Sequence, residues 1–274
     1  MYQVLTLVAG LVVLPAALLG LLVSLTVVGI YFEEKKLFQK KEPLKIIMFG
    51  FFWLSFSILN FALVLPLKLI VAQSELEIIA HEACQFLART LHVAFFGPVA
   101  VEGQNNLKAL KPDEAVLFVA NHQTMMDITT LYFLPTNFAW VAKSVIFYMP
   151  GAGWMMKLAN YVPLKRKNKD SIANMFKACQ ERLANKWSVI VFPQGTRNRS
   201  TFLPFKDGAF DIAKTTNVRI VPLTIVIPDD LWMWNRRGAC KLVVHEPYSP
   251  VDKTKEELKE VAYAAITSAM PKLK

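Results

Sequence analysis

The chain has 274 residues, 54% of them hydrophobic, and a formal net charge of +10 at pH 7, with a mean hydropathy of +0.35. An ordinary soluble domain is less apolar, and a cationic excess on such a chain suits anionic lipid or a phosphorylated substrate better than nucleic acid. The three cysteines, Cys84, Cys179 and Cys240, lack pairing or metal-ligand spacing, so neither a disulfide framework nor a zinc site follows.

Two uncharged runs come first: Val4 to Phe32, and Ile46 to Leu67 with polar interruptions at Ser55, Ser57 and Asn60. At about 1.5 Å per helical residue, either can cross a hydrocarbon core of roughly 30 Å. The opening "MYQ" supplies no basic n-region, so the first run reads as an anchor rather than a cleaved signal. Between the runs, "EEKKLFQKKEPLK" carries five lysines and favours the cytoplasmic side, as does the basic region that follows. Two complete spans cannot place both there, so one run is expected to be re-entrant or to lie along the membrane. Residues 1–74 are thus an expected anchor of an integral membrane protein.

From Glu75 to Phe96, Leu76, Ile79, Ala80, Ala83, Leu87, Leu91 and Ala94 recur at helical spacing, which predicts an amphipathic linking helix over 75–96. Its two histidines, His81 and His92, read as surface features of that helix. After Gly97 and Pro98, strand-like runs alternate with helical ones: "VAVEG", "AVLFVA", "AWVAK", "NYVPLK", "WSVIVF", "RIVPLTIV" and "CKLVVHE". Ser171 to Asn185 places Ile172, Met175, Phe176, Cys179 and Leu183 on one helical face, and "TKEE" at 254–257 forms a capping box for a last helix. The alternation predicts an α/β fold over 97–274: a mixed sheet covered by helices and preceded by N-terminal membrane-embedded helices.

The first stretch that carries chemistry is "NHQTMMD", residues 121–127. His122 lies where the strand "VLFVA" meets a helix expected to start near Thr124. Side chains at such strand ends meet ligands in α/β folds, and a helix N-terminus disfavours a protonated imidazole. Asp127, expected in the second turn, can reach back to one ring nitrogen and fix the tautomer, leaving the other to take a hydroxyl proton. Downstream, "VFPQGTRNR" at 191–199 ends a strand in a tight turn. There Gly195, Thr196 and Arg197 can hold an anion, with Lys206 of "LPFKDGAF" as a further cation.

In order and spacing these motifs resemble the glycerolipid and lysophospholipid acyltransferases of the 1-acylglycerol-3-phosphate O-acyltransferase type. "NHQTMMD" is similar to their H-x4-D motif, "NYVPLKR" to their second, "FPQGTR" to their third and "IVPL" with Pro222 to their fourth. Weaker likenesses are "VEGQNNL", "AKSVIFYMPGAGW" and "FKDGA", and the whole covers roughly residues 97–250. The resemblance implies His122 as general base with Asp127 as its orienting partner, and direct attack of the acceptor oxygen on an acyl thioester. It implies acceptor binding by Arg166, Gln194, Gly195, Thr196, Arg197 and Lys206, with the arginines on a phosphate. The donor would be acyl-CoA or acyl carrier protein, the favoured acceptor lysophosphatidic acid, and no metal or tightly bound cofactor is required.

The chain departs from the family pattern at Gln194, where Glu is usual, and at Asn160, where the second motif usually opens with Gly. Gln keeps the shape and an acceptor but loses a charge. Another lysophospholipid acceptor, a transacylase activity, and a non-catalytic lipid-binding scaffold therefore stay open alongside phosphatidic acid synthesis. Trp154, Trp232 and Trp234 suit either a headgroup layer or ordinary core packing. The bilayer is an expected partner, nucleic acid is not, and the sequence leaves the oligomeric state open.

Overall fold

The computed structural model describes residues 42–271 apart from 112 and 167. The first apolar run, Val4 to Phe32, and the choice of which run crosses the bilayer lie outside the described residues. The second run forms α1, Pro43–Val64, which Pro43 opens at a position where its missing N–H costs nothing. A 3-10 turn, Leu65–Leu69, continues it. Pro43–Leu69 is, among the described residues, the one helix long and apolar enough to cross a membrane, with a mean hydropathy of 2.0 and 11% of that stretch buried. Leu44, Phe56, Leu59, Leu63 and Leu69 are exposed along it.

Helix α1 is fastened to the remainder of the chain by a buried lysine. Lys45 Nζ donates to the carbonyls of Leu231 and Met233 at 3.1 and 3.0 Å and sits 4.7 Å from the centre of the Phe96 ring. Trp232, beside those carbonyls, packs edge-on against Phe49 and Phe96, so this tryptophan is part of a packed interior.

The predicted linking helix is α2, Gln73–Phe96. Its histidines correct the expectation of a helix surface, since His81 and His92 are both 0% exposed. His81 Nδ1 is 2.7 Å from the Tyr161 hydroxyl, and His92 Nδ1 is 2.8 Å from Oγ1 of Thr129. A single amphipathic face misses this because α2 is covered on two sides, by α1 and by the helices over the sheet, so its buried face is wider than one apolar stripe. The helix stops at Gly97, whose φ of +81° suits glycine. There the Gly238 N–H donates to the Phe96 carbonyl, and a Cβ on Gly97 would collide with the Gly238 backbone.

All seven predicted strands form. They are β1 Ala100–Glu102, β2 Leu117–Ala120, β3 Phe138–Lys143, β4 Val162–Leu164, β5 Ser188–Val191, β6 Ile220–Val226 and β7 Lys241–Val244. Their order is β1-β7-β6-β2-β5-β3-β4. The five from β6 to β4 run parallel, and β7 joins β6 antiparallel with β1 parallel to β7, so the sheet is mixed as predicted. Side chains alternate across it. Phe118, Ala120, Ile190, Val221 and Leu223 enter one apolar cluster with α1 and α2. Leu117, Val119, Val189 and Ile220 enter another with the helices of the far face.

Those far-face helices are α5 Lys169–Ala184, α6 Gly208–Thr216 and α7 Lys255–Ser268. On α5, Met175, Cys179 and Leu183 are buried as predicted, while Ile172 is exposed. The capping box holds: Thr254 Oγ1 accepts from the Glu257 N–H, and Glu257 accepts from the Thr254 N–H. Two short helices, α3 Met126–Leu131 and α4 Ala152–Leu158, complete the near face.

Burial pushes both α2 histidines down from 6.5 to about 4, with Arg182 and Arg89 adding to the effect at His81. Between those values the unfolded chain binds protons that the folded chain does not, so stability is full above pH 6.5 and falls as the pH drops toward 4. Each histidine contributes up to roughly 3 kcal/mol to that slope. His92→Phe, which keeps a ring against Phe133 and Phe96, should flatten the dependence of the melting temperature on pH over this window. An unchanged slope would assign the acid sensitivity elsewhere.

Candidate active site

Because β2, β5, β3 and β4 are parallel, the residues that follow them share one edge of the sheet. His122 follows β2, the stretch 192–197 follows β5, and Arg166 follows β4. Strands β2 and β5 are neighbours, so two motifs about seventy residues apart in sequence meet directly.

His122 Nδ1 lies 2.8 Å from Asp127 Oδ2. The helix begins later than predicted: α3 opens at Met126, which places Asp127 in its first turn rather than its second. The chain before it is therefore free to wrap the carboxylate. Oδ2 accepts from the N–H groups of Gln123 and Thr124 at 2.7 and 2.9 Å, and Oδ1 accepts from the Thr124 hydroxyl at 3.0 Å. Asp127 is 0% exposed, and these donors are what make that burial tolerable. With the carboxylate on Nδ1–H, the lone pair of the neutral ring is on Nε2.

The imidazole is held on its face as well. Phe192 stacks on it at 3.9 Å between ring centres and 13° between planes, and Trp140 stacks behind Phe192. The His122 backbone is gripped twice by the loop after β5: its N–H donates to Gln194 Oε1 at 2.8 Å, and its carbonyl accepts from the Asn198 N–H at 3.1 Å. The preceding residue, Asn121, is buried and bridges to β6, donating to the Ile225 carbonyl at 2.9 Å and accepting from its N–H at 2.7 Å. Neither Phe192 nor Asn121 was marked by residue type or spacing, although a fully buried asparagine directly after an apolar strand is itself a signal of a fixed strand end.

The acceptor-binding candidates divide. Gln194 is 2% exposed, with Oε1 on the His122 N–H and Nε2 donating to the Leu203 carbonyl at 3.4 Å. Both ends of its amide are engaged by backbone, so Gln194 ties the loop after β5 to the His122 backbone. A carboxylate here would keep an acceptor for the His122 N–H and lose the donor to Leu203. Gly195 has φ +72°, and the Lys206 side chain crosses it so closely that a Cβ would come within 3.1 Å of Nζ. Thr196 and Arg197 are exposed on the same loop, and Arg197 Nε donates to His122 Nε2 at 3.3 Å. Arg166 is exposed beyond β4, two strand spacings or roughly 10 Å from β5, and among the described residues makes no hydrogen bond or ion pair with the others.

The second departure also has a local cause. Asn160 has φ +51°, a left-handed conformation that glycine adopts freely and asparagine better than most. Its amide donates to Glu77 at 2.9 Å, and Glu77 pairs with the buried Arg182, so this residue serves an α2–α5 ion pair. Pro222 lies inside β6 opposite Val119 of β2. Among the described residues no cluster of three or more His, Cys, Asp or Glu is placed to hold a metal ion.

Residues 98–226 match a family model described as Acyltransferase. The chain is 33% identical over 182 residues to a 1-acyl-sn-glycerol-3-phosphate acyltransferase of Chlamydomonas reinhardtii, covering 64% of this chain and 54% of that protein. It is 35% identical over 158 residues to the chloroplastic 1-acyl-sn-glycerol-3-phosphate acyltransferase LPAT1 of Arabidopsis thaliana, covering 56% and 44% respectively. The chain thus spans about half the length of these curated relatives. The crystal structure of the 1-acyl-sn-glycerophosphate acyltransferase PlsC from Thermotoga maritima superposes with a TM-score of 0.68 at 26% identity, over 82% of this chain and 92% of that one. Residues 98–226 thus resemble an acyltransferase domain in sequence, and the described fold resembles that of PlsC.

Proposed function

We propose that this protein is a membrane-bound enzyme that moves a fatty acyl group from a thioester, acyl-CoA or acyl-acyl carrier protein, onto the free hydroxyl of lysophosphatidic acid to give phosphatidic acid. The observation that carries this reading is the orientation of His122. Its Nδ1 is committed to Asp127, and its Nε2 faces the 195–197 loop with a cation beside it. The relatives' names supply the acceptor class.

In the proposed step the acceptor hydroxyl gives its proton to Nε2 while its oxygen forms the new ester bond to the acyl carbon. The C–S bond breaks, and the imidazolium, steadied by Asp127, returns the proton to the departing thiolate. Arg197, Lys206 and Arg166 bind the acceptor phosphate, the arginines offering planar forks that match its oxygens. The scheme uses no metal or bound cofactor. Residues 1–74 anchor the protein, with α1 in or on the bilayer, and residues 97–274 form the catalytic domain facing the cytosol. Because the acyl chain comes from and returns to a lipid phase, a tethered site spares it a passage through water.

Thiol release from a long-chain acyl-CoA by detergent-purified full-length protein tests the reaction. Release should require lysophosphatidic acid and fall about 10³-fold in His122→Ala; release that is independent of acceptor, or unaffected in the variant, would exclude the base. Gln194→Glu should lower the rate by about tenfold, because it buries a charge and turns a second acceptor toward the Leu203 carbonyl. A faster Gln194→Glu enzyme would show that position 194 faces the substrate after all. In sealed vesicles of known orientation, protease should reach α7 from the cytosolic side, and protection there would reverse the topology.

A further inference from the structure

His122 Nε2 must take the hydroxyl proton, yet it already accepts a hydrogen bond from Arg197 Nε at 3.3 Å. A neutral imidazole nitrogen has one lone pair, so an acceptor hydroxyl and the Arg197 N–H cannot both occupy it. Every other contact of the ring is fixed: the buried Asp127 at Nδ1, Phe192 on its face, and the loop on its backbone N–H and carbonyl. Arg197 is the contact that can move. It is exposed, it is carried on a long flexible stem, and no carboxylate among the described residues pairs with it.

We infer that Arg197 is a cap on the base, and that the phosphate of the acceptor lifts it. The inference rests on the acyl-transfer reading and adds the order of events at that same site. A phosphate monoester takes the guanidinium as a bidentate, charge-assisted pair, a stronger partner than the lone pair of an imidazole. In lysophosphatidic acid the free hydroxyl and the phosphate sit on neighbouring glycerol carbons, so the group that draws Arg197 away delivers the hydroxyl to the vacated nitrogen. Water and unphosphorylated alcohols bring no such group and meet a capped base. Were water activated instead, its oxygen would bond to the acyl carbon as the C–S bond broke, releasing fatty acid and thiol. Arg197 suppresses that loss of donor. In this role it acts through His122, as a positioning residue that selects for phosphorylated acceptors.

The test separates phosphate from hydroxyl. Full-length protein in detergent is given acyl-CoA and 1-monoacylglycerol, with and without inorganic phosphate, and in parallel acyl-CoA alone. In the parent, phosphate should raise acyl transfer to monoacylglycerol by about tenfold, the factor for releasing one charge-assisted hydrogen bond. In Arg197→Ala, phosphate should have no effect, and hydrolysis of acyl-CoA without acceptor should rise by a similar factor. Suppose that transfer to lysophosphatidic acid is present in the parent and lost in His122→Ala, while phosphate leaves monoacylglycerol transfer unchanged and Arg197→Ala does not hydrolyse faster. Arg197 would then be an anion contact only, and the cap is overturned with the base intact. Absence of acceptor-dependent release with lysophosphatidic acid in the parent would instead remove the acyl-transfer reading, and the cap with it.

Discussion

A buried carboxylate that must find donors for both its oxygens dictates the local structure here. Asp127 is fully enclosed, and an ionised group in that position is tolerated only when its lone pairs are occupied. The donors available are the N–H groups of Gln123 and Thr124, the Thr124 hydroxyl and the His122 ring. To supply them, residues 122–124 stay out of the helix and curl over its first turn. That curl is what turns the imidazole outward at the sheet edge with Nε2 leading. The helix start, the ring orientation and the choice of tautomer thus follow from one requirement.

The sheet converts this local device into a site. Parallel pairing of β2 with β5 sets the curl beside the loop at 192–199, which closes on it from three directions: Gln194 on the His122 N–H, Asn198 on its carbonyl and Phe192 on its ring. The loop is itself tied down. Asn198 Oδ1 accepts from Ser200 and Thr201, and Arg199 reaches the Ile227 carbonyl and Asp229 beyond β6. Asn121 joins β2 to the same end of β6. Three adjacent strand ends are thereby locked together around one imidazole, which fixes its position at the sheet edge.

What could be read from the sequence was local. Short apolar runs between helical stretches gave all seven strands, and the 254–257 box and most of the buried face of α5 came from spacing. The pairing of His122 with Asp127 was also legible, since five residues across a strand-to-helix junction is a short reach. Contacts that depend on strand order were not. Nothing near Gln194 in sequence indicates that its carbonyl caps the His122 backbone, because the partners are 72 residues apart. Its expected place at the acceptor came from the resemblance of "FPQGTR" to a family motif. His81 and His92 read as surface because a single helical face was assumed for α2, whereas the helix is sandwiched between α1 and the layer over the sheet. Asn160 read as an anomaly until its positive φ showed a position where glycine and asparagine are the ordinary choices.

In the proposed reaction Asp127 acts through the tautomer and charge of His122, and Asp127→Asn tests that role most directly. Asparagine keeps the size and an oxygen for the Gln123 and Thr124 N–H groups while removing the charge. Steady-state acyl transfer to lysophosphatidic acid should show kcat lowered by about 10³ to 10⁴-fold with KM for the acceptor nearly unchanged. An undiminished kcat, or a loss confined to KM, would mean that Asp127 does not act on the reaction through the tautomer and charge of His122.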